Sequence, residues 1–178
     1  MSYFSKMKGD GKAPPRVNAV EIGLSWLGAF IGISVSGYIS LNLLSGTDMI
    51  LMIAPFGATA VLIFGAPKSP LAQPRNVLGG HVLSALIAVA CCKAVPGHAW
   101  LASSLAVSLS IAAMHATRTL HPPAGATALF AVIGGEKIRS LGFFYAVMPV
   151  GVGIAILLII AVLFNNIPRT RRYPEFWV

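Results

Sequence analysis

The stretches "APFGATAV" at residues 54–61 and "PPAGATAL" at 122–129 decide the fold of this chain. Both contain Pro-x-Gly-Ala-Thr-Ala, and the two motifs begin 68 residues apart, at residues 55 and 123. Proline is favoured in the first turn of a helix, where its missing N–H costs nothing, and glycine lets another group approach the backbone. Each motif therefore predicts a helix that begins inside an apolar segment.

The composition is that of a membrane protein. Of the 178 residues, 56% are hydrophobic and only 10% are charged, and the mean hydropathy is +0.80. A soluble domain carries about a quarter charged residues. The net charge of +8 comes largely from basic residues that flank the apolar segments, which is the pattern of the positive-inside rule and not of a nucleic-acid-binding face. We therefore expect a cytoplasmic basic arm at 1–19 and a cytoplasmic basic tail at 166–178, and no nucleic-acid partner. The flanking residues are Lys6, Lys8, Lys12, Arg16, Arg169, Arg171 and Arg172.

Six apolar segments follow one another along the chain. Four of them approach the roughly 20 residues that a helix needs to cross a bilayer, whereas the two segments that contain the motif are shorter. The short segments are either broken helices that cross or re-entrant hairpins. Six crossings place ten basic residues on the side of the termini and three on the other, and four crossings give eight and five, so the charge distribution favours six. The segments are 22–44, 49–65, 77–95, 99–117, 121–135 and 141–164.

The order long, short, long occurs twice, in residues 20–95 and in residues 99–165. We predict an all-α membrane protein whose transmembrane domain, 20–165, is a helical bundle of two three-helix repeats. Each repeat would contain a short broken or re-entrant motif helix. Three crossings per repeat would invert the second repeat relative to the first, and inverted repeats of transporters hold the substrate site at their interface.

Two helix starts that meet inside the membrane predict an anion site. The first amides of a helix have no partner within it, and each N-terminus carries roughly half a positive charge. Two such ends suit one small monovalent anion, with two threonine hydroxyls as further donors. The alternative is that the small residues only pack helices closely. The motif residues predicted to bind are Gly57, Ala58, Thr59, Gly125, Ala126 and Thr127.

Five further side chains near the motifs are candidate anion ligands: Arg75, Asn76, His81, Arg118 and His121. The bland alternatives are a solvated loop for the polar and basic residues and a neutral buried imidazole for a histidine. No histidine, cysteine or carboxylate spacing indicates a metal site or a cofactor, and no acid–base or nucleophile constellation indicates an enzyme. All five carboxylates lie at segment ends or in tails, which favours passive transport, although a proton step through His81 or His121 stays open.

The run "APFGATAVLIFGAPKSPLAQPRNVLGGH" at 54–81, together with "HPPAGATALFAV" at 121–132, resembles the HPP family of integral membrane proteins, which is named for a His-Pro-Pro sequence. The resemblance implies four spans, in contrast to the six counted above. It also implies transport of nitrite, a small bent monovalent anion.

We therefore expect a transporter or channel for small monovalent anions, most of all nitrite. It would lie in a bacterial cytoplasmic (inner) membrane as a multi-pass protein with both termini cytoplasmic. The alternatives are a membrane scaffold or sensor that does not transport, and a channel for a small neutral solute. Membrane lipids are expected contacts, and the small size of the chain leaves room for a homo-oligomer.

Overall fold

The computed structural model describes residues 2–9, 11–43 and 51–177, and within these ranges it contains seven α-helices and no β-strand. The all-helical fold predicted from the sequence is confirmed. Residues 44 and 49–50 of the predicted segments, and residues 1, 10 and 178 of the predicted arm and tail, lie outside the described ranges. The helices are α1 (Ala19–Tyr38), α2 (Pro55–Gly65), α3 (Pro74–Ala94), α4 (Ala99–Thr117), α5 (Pro122–Ile133), α6 (Glu136–Arg139) and α7 (Val152–Asn165).

Four helical stretches of the described chain are long and apolar enough to cross a membrane. Helices α2 and α5, which contain the two motifs, have only 11 and 12 residues. At 1.5 Å per residue each is about 17 Å long, little more than half of a bilayer core. The four long stretches are Ala19–Asn42, Pro74–Ala94, Ala99–Thr117 and Gly142–Asn165.

The helices begin where the sequence carries start signals. The Asn18 side chain accepts a hydrogen bond from the Glu21 amide at 2.9 Å, which caps α1, and α2, α3 and α5 each begin with proline. The last apolar stretch is interrupted, because Met148 has extended backbone angles (φ −134°, ψ 120°) directly before Pro149. Proline disfavours helical geometry in the residue that precedes it, so the regular α7 starts only at Val152.

A buried arginine bonds to three helices at one end of the bundle, which we call the base. The Arg171 guanidinium donates to the Glu21 carboxylate at 2.8 Å, to the Phe64 carbonyl at 3.1 Å and to the Asn165 side chain at 2.8 Å. Helix α1 therefore begins at the base, and α2 and α7 end there. Arg171 of the predicted basic tail is only 6% exposed and is an integral part of the fold.

The remaining helices alternate in direction between the base and the opposite end, the top. The Arg75 side chain donates to the Thr117 carbonyl at 3.0 Å, which brings the start of α3 and the end of α4 together at the base. At the top, residues 95–98 join α3 to α4, and the Lys93 ammonium lies 5.9 Å from the centre of the Phe143 ring.

Close approach of three helices depends on two glycines. A Cβ atom at Gly28 in α1 would lie 2.6 Å from the Phe64 ring of α2, and one at Gly153 in α7 would lie 2.3 Å from the Phe56 ring. Both distances are shorter than any real carbon–carbon contact. Small residues at these positions therefore allow α1 and α7 to pack directly on the motif helix.

The first prediction concerns Arg171. Replacing it with glutamine leaves the half-buried Glu21 carboxylate without its partner, which we expect to lower the free energy of unfolding by about 2 to 4 kcal/mol. Thermal unfolding of the detergent-purified protein, followed by tryptophan fluorescence, measures the change. The matched control is Arg172→Gln, because Arg172 is exposed and its loss should change stability by about 0.5 kcal/mol at most. Equal unfolding temperatures for the two variants would contradict the role given to Arg171.

Candidate functional site

A buried polar chain joins the two motifs. Thr59 of α2, His81 of α3, Thr127 of α5 and His121 at the start of α5 are all completely buried. The His81 Nε2 atom lies 2.7 Å from the Thr59 hydroxyl, and its Nδ1 atom lies 2.6 Å from the Thr127 hydroxyl. The Thr59 hydroxyl also lies 3.2 Å from His121 Nε2. A single imidazole therefore connects the threonines of both motifs.

A backbone carbonyl sets the direction of every hydrogen bond in this chain. His121 Nδ1 lies 2.7 Å from the Leu71 carbonyl, which can only accept, so Nδ1 carries the proton and Nε2 of the neutral ring accepts. The Thr59 hydroxyl then donates to His121, and His81 Nε2 donates to Thr59. His81 Nδ1 is left as an acceptor, and the Thr127 hydroxyl donates to it.

One other acceptor competes for the Thr59 proton. The Pro55 carbonyl lies 3.3 Å from the Thr59 hydroxyl, in the usual position one turn earlier in the helix. If Thr59 donated there, its oxygen and His121 Nε2 would face each other at 3.2 Å with a lone pair on each. A buried pair of acceptors is costly, so the order that runs from Thr127 to Leu71 is the stable one.

Aromatic side chains surround the polar chain. The Phe56 ring meets the His81 ring edge-on with centroids 6.1 Å apart, and the two imidazoles are 5.0 Å apart. The Tyr145 hydroxyl donates to the Thr127 carbonyl at 3.1 Å. No ionised side chain is among these contacts, so donors and acceptors here are neutral groups.

A glycine and an asparagine bring His121 to this place. A Cβ atom at Gly80 would lie 2.8 Å from the Thr119 carbonyl and 3.0 Å from the Cβ of His121, so only glycine lets α3 approach the turn before α5. The Asn76 side chain donates to the Leu120 carbonyl at 3.0 Å in the same turn. Both contacts hold His121 close to the backbone of α3.

The loop 66–73 supplies the terminal carbonyl, and the tail holds the loop. The side-chain amide nitrogen of Gln73 donates to the Pro67 carbonyl at 3.0 Å and to the Ser69 carbonyl at 2.8 Å. The Tyr173 hydroxyl donates to the Ala72 carbonyl at 2.7 Å. Burial raises the pKa of Tyr173, so this hydroxyl stays protonated and remains a donor. Leu71, the neighbour of Ala72, is thereby fixed below His121.

The helix starts themselves differ from the expectation of open amides. The amides of Phe56 and Gly57 donate to the carbonyls of Ile53 and Ala54 at 3.0 and 3.1 Å. At the second motif the Ala124 amide donates to the His121 carbonyl at 2.9 Å, and the two residues before it are prolines without an N–H. The first amides of both helices are thus satisfied within the chain, and the donors that meet are side chains.

The structure brings four of the eleven predicted residues together, namely Thr59, His81, His121 and Thr127. Of the other motif residues, three are exposed and one is half-buried, and all four lie outside the hydrogen-bonded chain. They are Gly57, Ala58, Ala126 and Gly125.

The remaining three predicted residues lie at helix ends around the site and not in the hydrogen-bonded chain. Asn76 holds the turn before α5, and Arg75 bonds to the end of α4. Arg118 is exposed and ends α4 with a left-handed backbone (φ 56°).

Sequence reasoning missed the Leu71 carbonyl and Tyr145. The carbonyl carries no side-chain signal. Tyr145 had one, because a tyrosine inside an apolar span needs a partner for its hydroxyl when it is buried. Within the described ranges no group of three or more histidine, cysteine, aspartate or glutamate residues is placed to hold a metal ion.

The four side chains are closed off from solvent. Five cavities or grooves of about 300 to 750 Å³ open elsewhere on the described part of the chain, and none of these five is lined by the four residues. Any ligand that reaches the threonines must therefore displace hydrogen bonds that now join protein groups.

Comparison with known proteins agrees with a membrane location for this chain. A family model described as the HPP transmembrane region matches residues 14–174. Two proteins of Dictyostelium discoideum, each named as a transmembrane protein, are 45% identical over 180 residues and 44% identical over 182 residues, covering 99% of this chain in both cases. The chain spans 58% and 64% of their lengths, about three fifths. No solved structure matches the chain.

The second prediction tests the hydrogen-bonded chain. Thr59→Val keeps the shape of the side chain but leaves the His81 N–H and His121 Nε2 without a partner. We expect the free energy of unfolding to fall by about 1 to 3 kcal/mol for each orphaned group. Thr59→Ser keeps the hydroxyl and should cost less than about 1.5 kcal/mol. Thermal unfolding in detergent compares the two, and a valine variant as stable as the serine variant would contradict the chain.

The third prediction concerns the protons. Nitrogen-15 NMR of histidine-labelled protein in lipid should show the two buried rings as opposite tautomers, His81 protonated at Nε2 and His121 at Nδ1. His81→Gln identifies which signal belongs to which ring. Two rings with the same tautomer would overturn the order derived from the Leu71 carbonyl.

Proposed function

The chain belongs to the HPP transmembrane family, and on that premise we propose that it transports small monovalent anions across a membrane, with nitrite as the leading substrate. The family match and the four long apolar helices support the membrane location. The substrate class is inferred from the chemistry of the Thr59–His81–Thr127 centre.

The observation that carries the proposal is one imidazole bonded at 2.7 and 2.6 Å to the threonines of both motifs. Hydroxyl and imidazole donors can replace the water around a small anion without burying a permanent protein charge, whose desolvation is costly. The carboxylates of the described ranges, Glu21, Glu136 and Glu175, all lie near the ends of the bundle or in the tail and not beside His81. An interior without carboxylates favours anions over cations.

Protonation of His81 would open the centre to an anion. The neutral ring accepts the Thr127 proton at Nδ1. A protonated ring donates from both nitrogens, so the Thr127 hydroxyl must turn its own proton elsewhere. That freed hydroxyl and the positive ring together offer a donor and a compensating charge to one anion. The anion and the proton then occupy the centre as a neutral pair, which costs less inside the bilayer than either ion alone.

We further propose that the chain crosses the membrane six times as two inverted three-helix units. In support, the segment that leads into α2 passes Ser40, just beyond the end of α1, where the Leu51 amide donates to the Ser40 hydroxyl, and the last turn of α2 contains Phe64 in the base. Helix α5 begins beside Leu71 and ends at a cavity shared with Cys92 near the top. A re-entrant hairpin would return to the end it left, whereas each of these segments leads from one end to the other. Successive units then run in opposite senses, as in inverted-repeat transporters.

The base is the proposed cytoplasmic side. Basic residues concentrate there, as the positive-inside rule requires, and they include Arg16, Lys68, Arg75 and Arg118. The bacterial inner membrane expected from the sequence has no support in the two relatives, which come from Dictyostelium discoideum.

A scaffold or sensor role is the second candidate, and one observation favours it. Among the described buried side chains only the Ser110 hydroxyl has no hydrogen-bond partner, so the centre is satisfied without any ligand. A purely structural polar core would look the same. Transport by protein reconstituted in liposomes separates the two candidates.

The fourth prediction is that the purified protein carries nitrite into liposomes with saturable kinetics that formate and nitrate inhibit competitively. Thr127→Val should reduce uptake at least tenfold, since about 1.4 kcal/mol from one lost hydrogen bond is a factor of ten. Thr127→Ser should retain it within about threefold. The matched control is Thr170→Val at an exposed site in the tail.

The outcomes are read only for variants that stay folded, as shown by their unfolding temperatures and their elution in gel filtration. Protein-free liposomes measure the leak of nitrous acid through lipid. No saturable anion uptake by the wild-type protein would overturn the transport function. A folded Thr127→Val protein with wild-type uptake would remove Thr127 from the transport pathway.

A further inference from the structure

A polar cavity of about 300 Å³ lies at the top of the bundle, outside the Thr59–His81–Thr127 centre. It is lined by the end of α3, the end of α5, the short helix α6 and the beginning of the last span. Its polar and charged lining residues include Cys92, Lys93, Glu136, Arg139, Ser140 and Tyr145.

The charges around this cavity favour an anion. Lys93 and Arg139 contribute two positive charges, and Glu136 contributes one negative charge. The Arg139–Glu136 pair is exposed, with 3.2 Å between nitrogen and oxygen, so water weakens it and the guanidinium keeps donors for another partner. A second Arg139 nitrogen donates to the Val132 carbonyl at 3.4 Å, which holds the side chain over the end of α5.

The floor of the cavity is one helical turn from the proposed centre. Ala131 lines the cavity, and Thr127 lies four residues before it in α5, about 6 Å along the axis. The Tyr145 ring also lines the cavity, while its hydroxyl reaches past the floor to the Thr127 carbonyl at 3.1 Å. Tyr145 therefore touches both the cavity and the residue that donates to His81.

We propose that this cavity is a binding vestibule for a small monovalent oxyanion on the top side of the membrane. The side chains of Arg139 and Lys93 receive the anion, and Tyr145 separates it from the threonines. The choice of nitrite as ligand rests on the proposed function, whereas the positive charge of the vestibule does not.

Cysteine chemistry can report on this vestibule directly. The chain has two cysteines, of which Cys91 is buried in the helix core and Cys92 lines the vestibule. A neighbouring cavity of about 340 Å³ shares both Cys92 and Arg139, so reagents can approach the thiol from two openings. Cys91→Ser leaves Cys92 as the single reactive thiol.

The first arm of the experiment measures the potential at Cys92. In Cys91→Ser protein in lipid nanodiscs, the thiol is modified by an anionic and by a cationic methanethiosulfonate. Relative to a small free thiol, the anionic reagent should be favoured. By Coulomb's law, removing one positive charge about 5 Å from the thiol in water slows the anionic reagent about fourfold and accelerates the cationic reagent about fourfold. Arg139→Gln should therefore reverse much of the preference for the anionic reagent. Arg139→Lys keeps the charge and should preserve it.

The control variant is Lys137→Gln, which removes the same charge two residues away from Arg139 but does not line the cavity. It should leave the ratio of the two rates nearly unchanged. A ratio equal to that of a free thiol, or one that Lys137→Gln changes as much as Arg139→Gln does, would overturn the positive vestibule. So would a Cys92 that neither reagent modifies.

The second arm uses sodium nitrite as the ligand. Nitrite should slow Cys92 modification severalfold in a saturable way, and it should not do so in Arg139→Gln. In liposomes, Arg139→Gln should raise the KM for nitrite severalfold with little change in maximal rate. Wild-type transport without protection of Cys92 would reject the vestibule and keep the function. Protection without any transport would keep the vestibule and reject the function.

Discussion

A hydrogen-bond donor or acceptor that is buried inside a bilayer must find its partner within the protein, because no water is available there. This constraint determines the hydrogen bonds at the centre of this protein. The Leu71 carbonyl can only accept, so the ring of His121 must turn its N–H toward it. Every later bond, through Thr59 and His81 to Thr127, follows from that first one. The two motif helices are therefore joined by a directed series of protons, and not by the packing of small residues alone.

The same constraint extends outward from the centre to the tail. Leu71 lies in a single 3-10 turn, Pro70–Ala72, of the loop 66–73, and it keeps its place because Gln73 bonds within that loop and Tyr173 bonds the loop to the tail. The tail in turn is fixed by Arg171, which bonds to the start of α1 and the ends of α2 and α7. A polar network at the base thus supports the polar chain above it, and each needs all of its members satisfied.

Much of the architecture could be predicted from the sequence because hydropathy and proline placement are local signals. The long spans, the two short helices beginning at Pro55 and Pro122, and the approach of the two threonines to each other were accessible in this way. The hydrogen bonding of the first helix amides could not be predicted, because whether an amide is free depends on the turn that precedes it. Here the carbonyls of Ile53, Ala54 and His121 accept hydrogen bonds from the first amides of the two helices.

The contacts that sequence reasoning missed join distant parts of the chain. Arg171 and Glu21 are 150 residues apart, and Tyr173 and Ala72 are 101 apart. A lone sequence gives no register for such pairs, and an arginine beyond the last span reads as one more positive-inside charge. Likewise, the two motifs suggested that two helix tips meet, but not that a histidine from a third helix would lie between them.

The Arg171 contacts also impose an order on biogenesis. The first helix enters the membrane early, yet the guanidinium that holds its start against α2 and α7 is made only after α7 has been synthesised. Until then the Glu21 carboxylate lacks its arginine partner, and the start of α1 has no ion pair to hold it at the base. The polar lock on the first helix is consequently completed late in assembly, from the carboxyl-terminal side.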